Sequence, residues 1–340
     1  MLKKKYLKYK KKINNNLLKI PNIVNKLFIK KYKKNIYNNL IIYKSNKSKF
    51  NIFKKKEKIL THIELSNLIE LFNIKKGSII SGTGFIIYSG LGLKLYNSLV
   101  NYLLFINSKN GYKEYKLPLL VNKLSLYGTG QLPDKDNQIY NIKNDKLYLI
   151  PTSEVPLINL YKNEMFNIKD LPIKSQSYTE CFRREAGSYG KNVKGLNRLH
   201  QFGKVEIIEI VNKSKSNKRL KKMLEHIKKV LISLNLYFRI KLLPCYKMCL
   251  TSSITYDFEV YSFGQKKWLE VSSLSNCLDY QSNNLKIFYK KKNKKKKCHT
   301  LNGSCISIPR LLIAILEMYQ INKNNKIFIK IPKVLKNFFK

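Results

Sequence analysis

Alanine is nearly missing from this 340-residue chain, standing only at Ala186 and Ala314. Acidic residues are few: 20 against 67 lysines and arginines, for a formal net charge of +47. Such a field attracts polyanions, nucleic acid first. Lysine, asparagine and isoleucine are abundant throughout, however, so most of the charge reads as pressure toward a few codon types. The six cysteines form no CxxC pair and no Cys/His ligand spacing, which gives zinc no support. A chain this long and lysine-rich is not a disulfide scaffold, and reduced thiols in a cytoplasmic protein are expected. No apolar run reaches the length of a membrane span, so no membrane partner is expected. The basic start, Met1 to Lys12, lacks the apolar stretch of a secretory signal. Neither a P-loop nor a dinucleotide fingerprint occurs. Residues 1–76 hold no glycine and one proline, Pro21, while all fourteen glycines fall between Gly77 and Gly303. A simple N-terminal segment followed by a turn-rich domain is the expected organisation.

Arginine is the informative scarcity. Only Arg183, Arg184, Arg198, Arg219, Arg239 and Arg310 are present. Where lysine serves almost everywhere, a retained arginine points to a need for the planar guanidinium fork, as in bidentate phosphate or carboxylate contacts. Arg219 and Arg239 lie in ordinary helix-like and strand-like text and are expected to make surface ion pairs. The other four fall in two richer places.

Periodicity predicts helices over Leu60–Phe72, Leu91–Phe105, Arg219–Leu234 and Ile308–Tyr319. It predicts strands over Leu147–Ile150, Tyr178–Glu185 and His200–Ile210, and a hairpin of Asp257–Tyr261 with Lys267–Ser272. The run Lys290 to Lys297 reads as a solvated loop. Hairpins with interspersed helices, rather than βαβ alternation, predict an α+β fold: an antiparallel sheet flanked by helices.

On strands, residues two apart share a face. Arg183 and Glu185 would then point together, as would Phe202, Lys204 and Glu206 on the return strand. A guanidinium suits phosphate and a ring suits stacking on a base. A carboxylate suits an exocyclic amine. Trp268, Glu270 and Ser272 share another strand face, where a carboxylate beside hydroxyls suits Mg²⁺ against phosphates. Arg310 stands at a helix start, where the dipole also favours an anion. Taken singly, each hairpin group reads better as core, cross-strand pair or hairpin edge, and one arginine alone is weak evidence.

The motifs together are more specific. Thr179-Glu-Cys-Phe-Arg-Arg-Glu-Ala-Gly187 through Arg198-Leu-His-Gln-Phe-Gly-Lys-Val-Glu206 resembles motif 2 of class II aminoacyl-tRNA synthetases, in the seryl-tRNA synthetase form. Ile150-Pro-Thr-Ser-Glu-Val-Pro-Leu157 resembles that family's serine-binding loop, and Tyr127-Gly-Thr-Gly-Gln-Leu-Pro133 the segment before it. Glu270-Val-Ser-Ser-Leu-Ser-Asn276, His299-Thr-Leu-Asn-Gly-Ser304 and Arg310 resemble its motif 3 region. The resemblance runs in order from about residue 57 to the end.

It implies a class II catalytic domain over 57–340 and a reduced N-terminal segment and connector over 1–56. It implies a serine–tRNA ligase using ATP and Mg²⁺, with L-serine and tRNA(Ser) as partners, in a homodimer paired through Gly90 to Pro118. Arg183, Glu270 and Arg310 would be catalytic. ATP would meet Arg183 at the α-phosphate, Arg310 at the γ-phosphate, Glu185 at the adenine amine and Phe202 on the ring. Arg184, Arg198, Leu199, Glu270, Val271, Ser272 and Ser273 would complete that site, with Glu270 and Ser273 toward the metal. Thr152, Ser153, Glu154, Arg183, Glu206, Asn302 and Ser304 would bind serine.

The chain departs from the family in places. Leu17-Leu-Lys-Ile-Pro-Asn22 resembles the text that follows the family's long helical tRNA-binding arm, so nearly the whole arm is expected to be absent. Gly84, Asn283 and Asn284 stand where arginine is common. Two accounts stand side by side: the basic field, with lysine clusters at the N-terminus and 290–297, partly replaces the arm, or the cognate tRNA is itself reduced and the charge is codon drift. Two rival readings remain at this point: an arm-less ligase that loads an amino acid onto a carrier protein, and a non-catalytic RNA-binding relic. The Thr152–Glu154 loop argues against the first, since that group relies on pocket cysteines binding metal. The retained arginines argue against the second.

Overall fold

Strand-forming text between residues 173 and 307 builds the centre of the molecule, and helices close over it. The computed structural model describes residues 2–17, 20–26, 38–50, 58–134, 136–185, 195–324 and 326–339. Residues 186–194 and Leu18–Lys19 of the Leu17–Asn22 text lie outside the described residues.

Eight strands form the main sheet. In chain order they are β1 Leu40–Lys44, β2 Lys113–Glu114, β3 Ile173–Phe182, β4 Gln201–Val211, β5 Phe238–Leu242, β6 Ile254–Ser262, β7 Lys267–Asn276 and β8 His299–Ser307. Their spatial order is β1-β5-β6-β7-β8-β4-β3-β2. Every pair is antiparallel except β2 with β3. This is the expected α+β architecture.

The helices used below are α1 Leu2–Leu17, α2 His62–Ile69, α3 Gly90–Lys109, α4 Ser216–Ser233 and α5 Ile308–Met318. Helix α1 lies in text for which no helix was expected. Helix α2 starts at a capping box in which Thr61 and Glu64 satisfy each other's backbone N–H groups. It ends when Glu70 turns left-handed at φ 47°, one turn before the expected boundary at Phe72. Helix α4 buries Leu220, Met223, Ile227, Val230 and Leu231 at helical spacing. Its lysine-rich face is turned outward. Helix α5 is buried almost all round, from Leu311 to Leu316. It lies between the sheet and α3, in one apolar core with Leu95, Leu99, Val205, Ile207 and Phe258. No described helix is long and apolar enough to cross a membrane.

Three local expectations change. Lysines 290–297 are exposed, as expected, but belong to a hairpin rather than a loop, and Met165–Asn167 pairs along the hairpin's inner strand to make a three-stranded sheet. The strands of this hairpin ribbon are Phe288–Lys291 and Lys294–Lys297, with Lys290 opposite Lys295 and Lys291 opposite Lys294. Strand β3 begins at Ile173 and stops at Phe182, so Arg183 and Glu185 lie past its end. Glu185 is left-handed at φ 50°, which breaks the alternation that placed them on one strand face. Arg219 and Arg239 make ion pairs, but not surface ones. Arg219 grips the fully buried Glu209 with two bonds, 2.6 and 2.5 Å long. Arg239 pairs with Glu259 at 2.5 Å and lies 4.4 Å over the Trp268 ring.

Candidate active site

The site is built on one face of β4 and its neighbours. Phe202, Lys204 and Glu206 alternate onto that face, and further along it Ile208 and Ile210 enter a separate apolar cluster. The opposite face carries Val205 and Ile207 into the main core. Strand β8 is registered against β4 so that Glu206 faces Ser304 and Ile208 faces Asn302. The polar part of both strands therefore meets at one end of the sheet.

A cavity opens over that end. Arg183, Glu185, Arg198, Leu199 and Phe202 line one side. Glu270, Val271, Ser272, Ser273 and Arg310 line the other. Each of these was expected at an ATP site. Arg184 is the exception: it is exposed, its amide bonds the Gln138 carbonyl at 2.7 Å, and it lines neither this cavity nor the vestibule beside it.

Although Arg183 lies off the strand, its amide still donates to His200 O at 2.9 Å, and its Nε donates to Pro151 O at 3.2 Å. Its guanidinium carbon stands 5.3 Å from the Phe202 ring centroid. Arg198 donates through Nε to Glu185. Arg310 donates to the Asn197 carbonyl at 3.1 Å and to the Glu270 carbonyl at 2.9 Å. Each bonded arginine keeps further N–H donors. Three guanidinium groups with one aromatic ring suit a polyphosphate attached to a base.

A bulge fixes the far wall. Glu259 pairs with Glu270 and Phe258 with Ser272, which leaves Val271 as the extra residue. Alternation then restarts, so Glu270 shares a face with Ser273, opposite Asp257, and not with Ser272. Ser272 instead donates to Ser304 O at 2.5 Å. Asp257, absent from the expected site, lies beside this pair. Burial and the Glu270 charge push its carboxyl upward, and its Oδ1 is buried without a hydrogen-bond partner.

Beneath the cavity lies a more enclosed polar group. Glu206 accepts from Thr152 at 3.3 Å and Ser304 at 3.5 Å. Glu154 accepts from Asn302 and from Gln281, each at 2.6 Å. Ser153 points elsewhere, to the Thr179 hydroxyl at 2.5 Å. Burial, with the nearby Glu206 charge, raises the Glu154 carboxyl from 4.5 to about 7. Of the expected serine-binding residues, Thr152, Glu154, Glu206, Asn302 and Ser304 are thus gathered here, while Arg183 lines the cavity above and Ser153 bonds Thr179 instead.

Sequence reasoning missed three contributors. Lys204 lies 2.6 Å from Glu206 and 2.7 Å from Thr152. Its face was legible, but one lysine among so many carried no signal. Gln281 donates to Glu154 because Thr300 Oγ1, at 2.7 Å, occupies its amide oxygen. Asp257 needed the bulge to be placed.

Comparison with known proteins agrees with this geometry. Residues 139–319 match the tRNA synthetase class II core domain (G, H, P, S and T). A serine–tRNA ligase of Leptospira biflexa is 44% identical over 82% of this chain and 67% of its own length. The chain belongs to the serine–tRNA ligase family of class II synthetases. Another family member, from Hydrogenobaculum, is 44% identical over 83% of this chain and 66% of its own length. The chain thus spans just under two thirds of that curated relative. The seryl-tRNA synthetase of Pyrococcus horikoshii, solved with ATP, superposes with a TM-score of 0.90 at 27% identity. That match covers 99% of this chain and 78% of the other.

Proposed function

We propose that the chain is a serine–tRNA ligase, activating L-serine with ATP and transferring it to the 3′ end of tRNA(Ser). The observation that carries this reading is the contact between an arginine-lined cavity and a buried carboxylate–hydroxyl group. The guanidinium-lined cavity reaches Lys204 and Ser304, which bond Glu206 and so join the cavity to the Thr152–Glu206 group beneath it. Relatives named serine–tRNA ligases, and the related structure holding ATP, support it.

The two carboxylates receive the serine ammonium and hydroxyl. Buried groups built for a hydroxyl reject alanine, which would leave them unpaired. Phe202 stacks on adenine, Glu185 accepts from its amine, Arg183 holds the α-phosphate and Arg310 the γ-phosphate. A serine carboxylate oxygen then attacks the α-phosphorus. The bond from that phosphorus to the bridging oxygen breaks, and pyrophosphate leaves with the electron pair. In the second step a terminal ribose hydroxyl of tRNA attacks the seryl carbonyl, and AMP departs. Positioning and charge stabilisation supply most of the catalysis, because little side-chain proton transfer is needed.

Mg²⁺ fits the residues present. Glu270 and Ser273 face the cavity, and the partnerless Asp257 oxygen lies behind them. A few oxygen donors suit an ion that takes its remaining ligands from phosphates and water. When bound, it neutralises charge on the phosphates.

The same proposal places a catalytic domain at 57–340, an N-terminal segment and connector at 1–56, a homodimer paired through Gly90 to Pro118, and a cytoplasmic location. It assigns part of the tRNA attraction to the lysine ribbon at 288–297, acting on the RNA backbone without sequence preference.

Serine-dependent exchange of pyrophosphate into ATP tests the first step. Formation of an ester product with purified tRNA tests the second. Exchange without an ester would move the acceptor from tRNA to another molecule. No exchange at all would leave a non-catalytic relic.

A further inference from the structure

His62 lies outside both cavities, yet it connects three of the segments that build the nucleotide site. It is the first residue of α2 and is fully buried. Its backbone N–H, one of the donors a helix start leaves free, goes to Glu317 at 3.1 Å. Its ring Nδ1 lies 3.1 Å from the same carboxylate oxygen. Glu317, also fully buried, further accepts from Ser262 and from the Gly264 amide at 2.9 Å.

The other ring nitrogen meets the motif 2 segment. The Leu196 amide donates to His62 Nε2 at 3.2 Å. A ring nitrogen receives an N–H only when it carries no proton of its own. Nε2 is therefore bare, and the ring proton sits on Nδ1, facing Glu317. The fit leaves no slack: a Cβ at Gly195, where φ is +69°, would stand 2.2 Å from Nε2.

Leu196 and its neighbour Asn197 line the nucleotide cavity. Asn197 offers its carbonyl to Arg310 Nε at 3.1 Å and its side-chain amide to Gln265 at 3.0 Å. Arg310 and Glu317 are seven residues apart on α5, two turns along one face. The path is thus closed: Arg310 to Asn197, Leu196 to His62, His62 to Glu317, and back along the helix to Arg310.

We propose that His62 is a positioning residue for ATP: it holds the turn 195–197 at the height where the Asn197 carbonyl sets the Arg310 guanidinium. This rests on the ligase reading above. A core histidine alone would need neither an unprotonated nitrogen turned to this amide nor a glycine beside it.

Two substitutions separate the ring's two bonds. In His62→Gln the amide group reaches the Nε2 position and still accepts from Leu196. In His62→Asn the amide reaches only the Nδ1 position, so it serves Glu317 and abandons Leu196. Serine-dependent pyrophosphate exchange is measured on the full chain. We expect His62→Asn to raise KM for ATP about tenfold, the cost of one unpaired buried amide. KM for serine stays unchanged, and His62→Gln stays within about twofold of wild type on both. Equal ATP KM values for the two variants, or equal shifts for ATP and serine, overturn the proposal. If His62→Asn does not fold, Gly195→Ala moves the same turn from the other side, and an unchanged ATP KM there overturns it as well. A wild-type chain without serine-dependent exchange refutes the ligase reading instead. Direct ATP titration of the same variants then still tests His62.

Discussion

Lys204 and Glu206 are two residues apart on β4, and their charges meet at 2.6 Å with both side chains almost fully buried. The pair explains how a carboxylate is kept charged and buried beneath the arginine-lined cavity. Replacing Lys204 with methionine leaves Glu206 buried and uncompensated. We expect a loss of about 3 kcal/mol in chemical denaturation, typical of a broken buried pair. Adding Glu206→Gln should recover part of it, because the stranded charge is gone. A double variant less stable than Lys204→Met would contradict this pairing.

Glu154 sets a pH dependence. Its carboxyl is raised to about 7, by burial first and by Glu206 second. Below that pH it holds a proton and offers no charge to the serine ammonium. The kcat/KM for serine should therefore fall as pH drops from 8 to 6, approaching about tenfold per unit on the acid side. Stability moves the opposite way. A raised carboxyl contributes fully below its unfolded value of 4.5, and that contribution is lost as pH rises through about 7. A flat serine profile across this range, in wild type, would remove Glu154 from the binding group.

Two arginines should separate catalysis from stability. Arg183→Lys removes the fork held by Pro151 O and stacked near Phe202. Pyrophosphate exchange should drop about a hundredfold, as when a preorganised donor is lost, with little change in Tm. Arg219→Met breaks the two-bond grip on buried Glu209. It should lower stability by about 3 kcal/mol and leave both KM values unchanged. The reverse pattern would exchange the two assignments.

The lysine ribbon offers a salt-dependent test. Replacing Lys290, Lys291, Lys294 and Lys295 together with glutamine should weaken tRNA binding. The plot of log affinity against log salt should flatten by roughly one unit for each phosphate that is no longer neutralised. Serine activation should not change. A variant that keeps the wild-type slope would show the ribbon to be solvated surface only.

The fold class and most of the arginine-lined cavity were legible from the sequence because both depend on local pattern. Strand alternation through Phe202, Lys204 and Glu206 placed three side chains on one face, and the structure keeps them there. The alternation argument failed where the chain leaves regular geometry. Arg183 and Glu185 lie past the end of β3, and the bulge at Val271 moves Glu270 from the face of Ser272 to that of Ser273. A period of two cannot register an extra residue. The lysine run escapes a sequence reading for a related reason: its pattern contains no alternation of polarity, and the partner strand at Phe288–Lys291 supplies its order.

By itself, the sequence determined which chemistry is present. Arginines kept in a chain that otherwise uses lysine stand next to short carboxylate and hydroxyl motifs, and a fork-shaped cation beside such groups suits phosphate and carboxylate contacts. Tertiary structure decided which partners complete each group. Gln281 reaches Glu154 across 127 positions, and His62 reaches Leu196 across 134. Arg219 is turned inward to Glu209 by the docking of α4 on the sheet. These pairings come from packing and from the need to satisfy every buried donor and acceptor, and no local pattern in the chain encodes them.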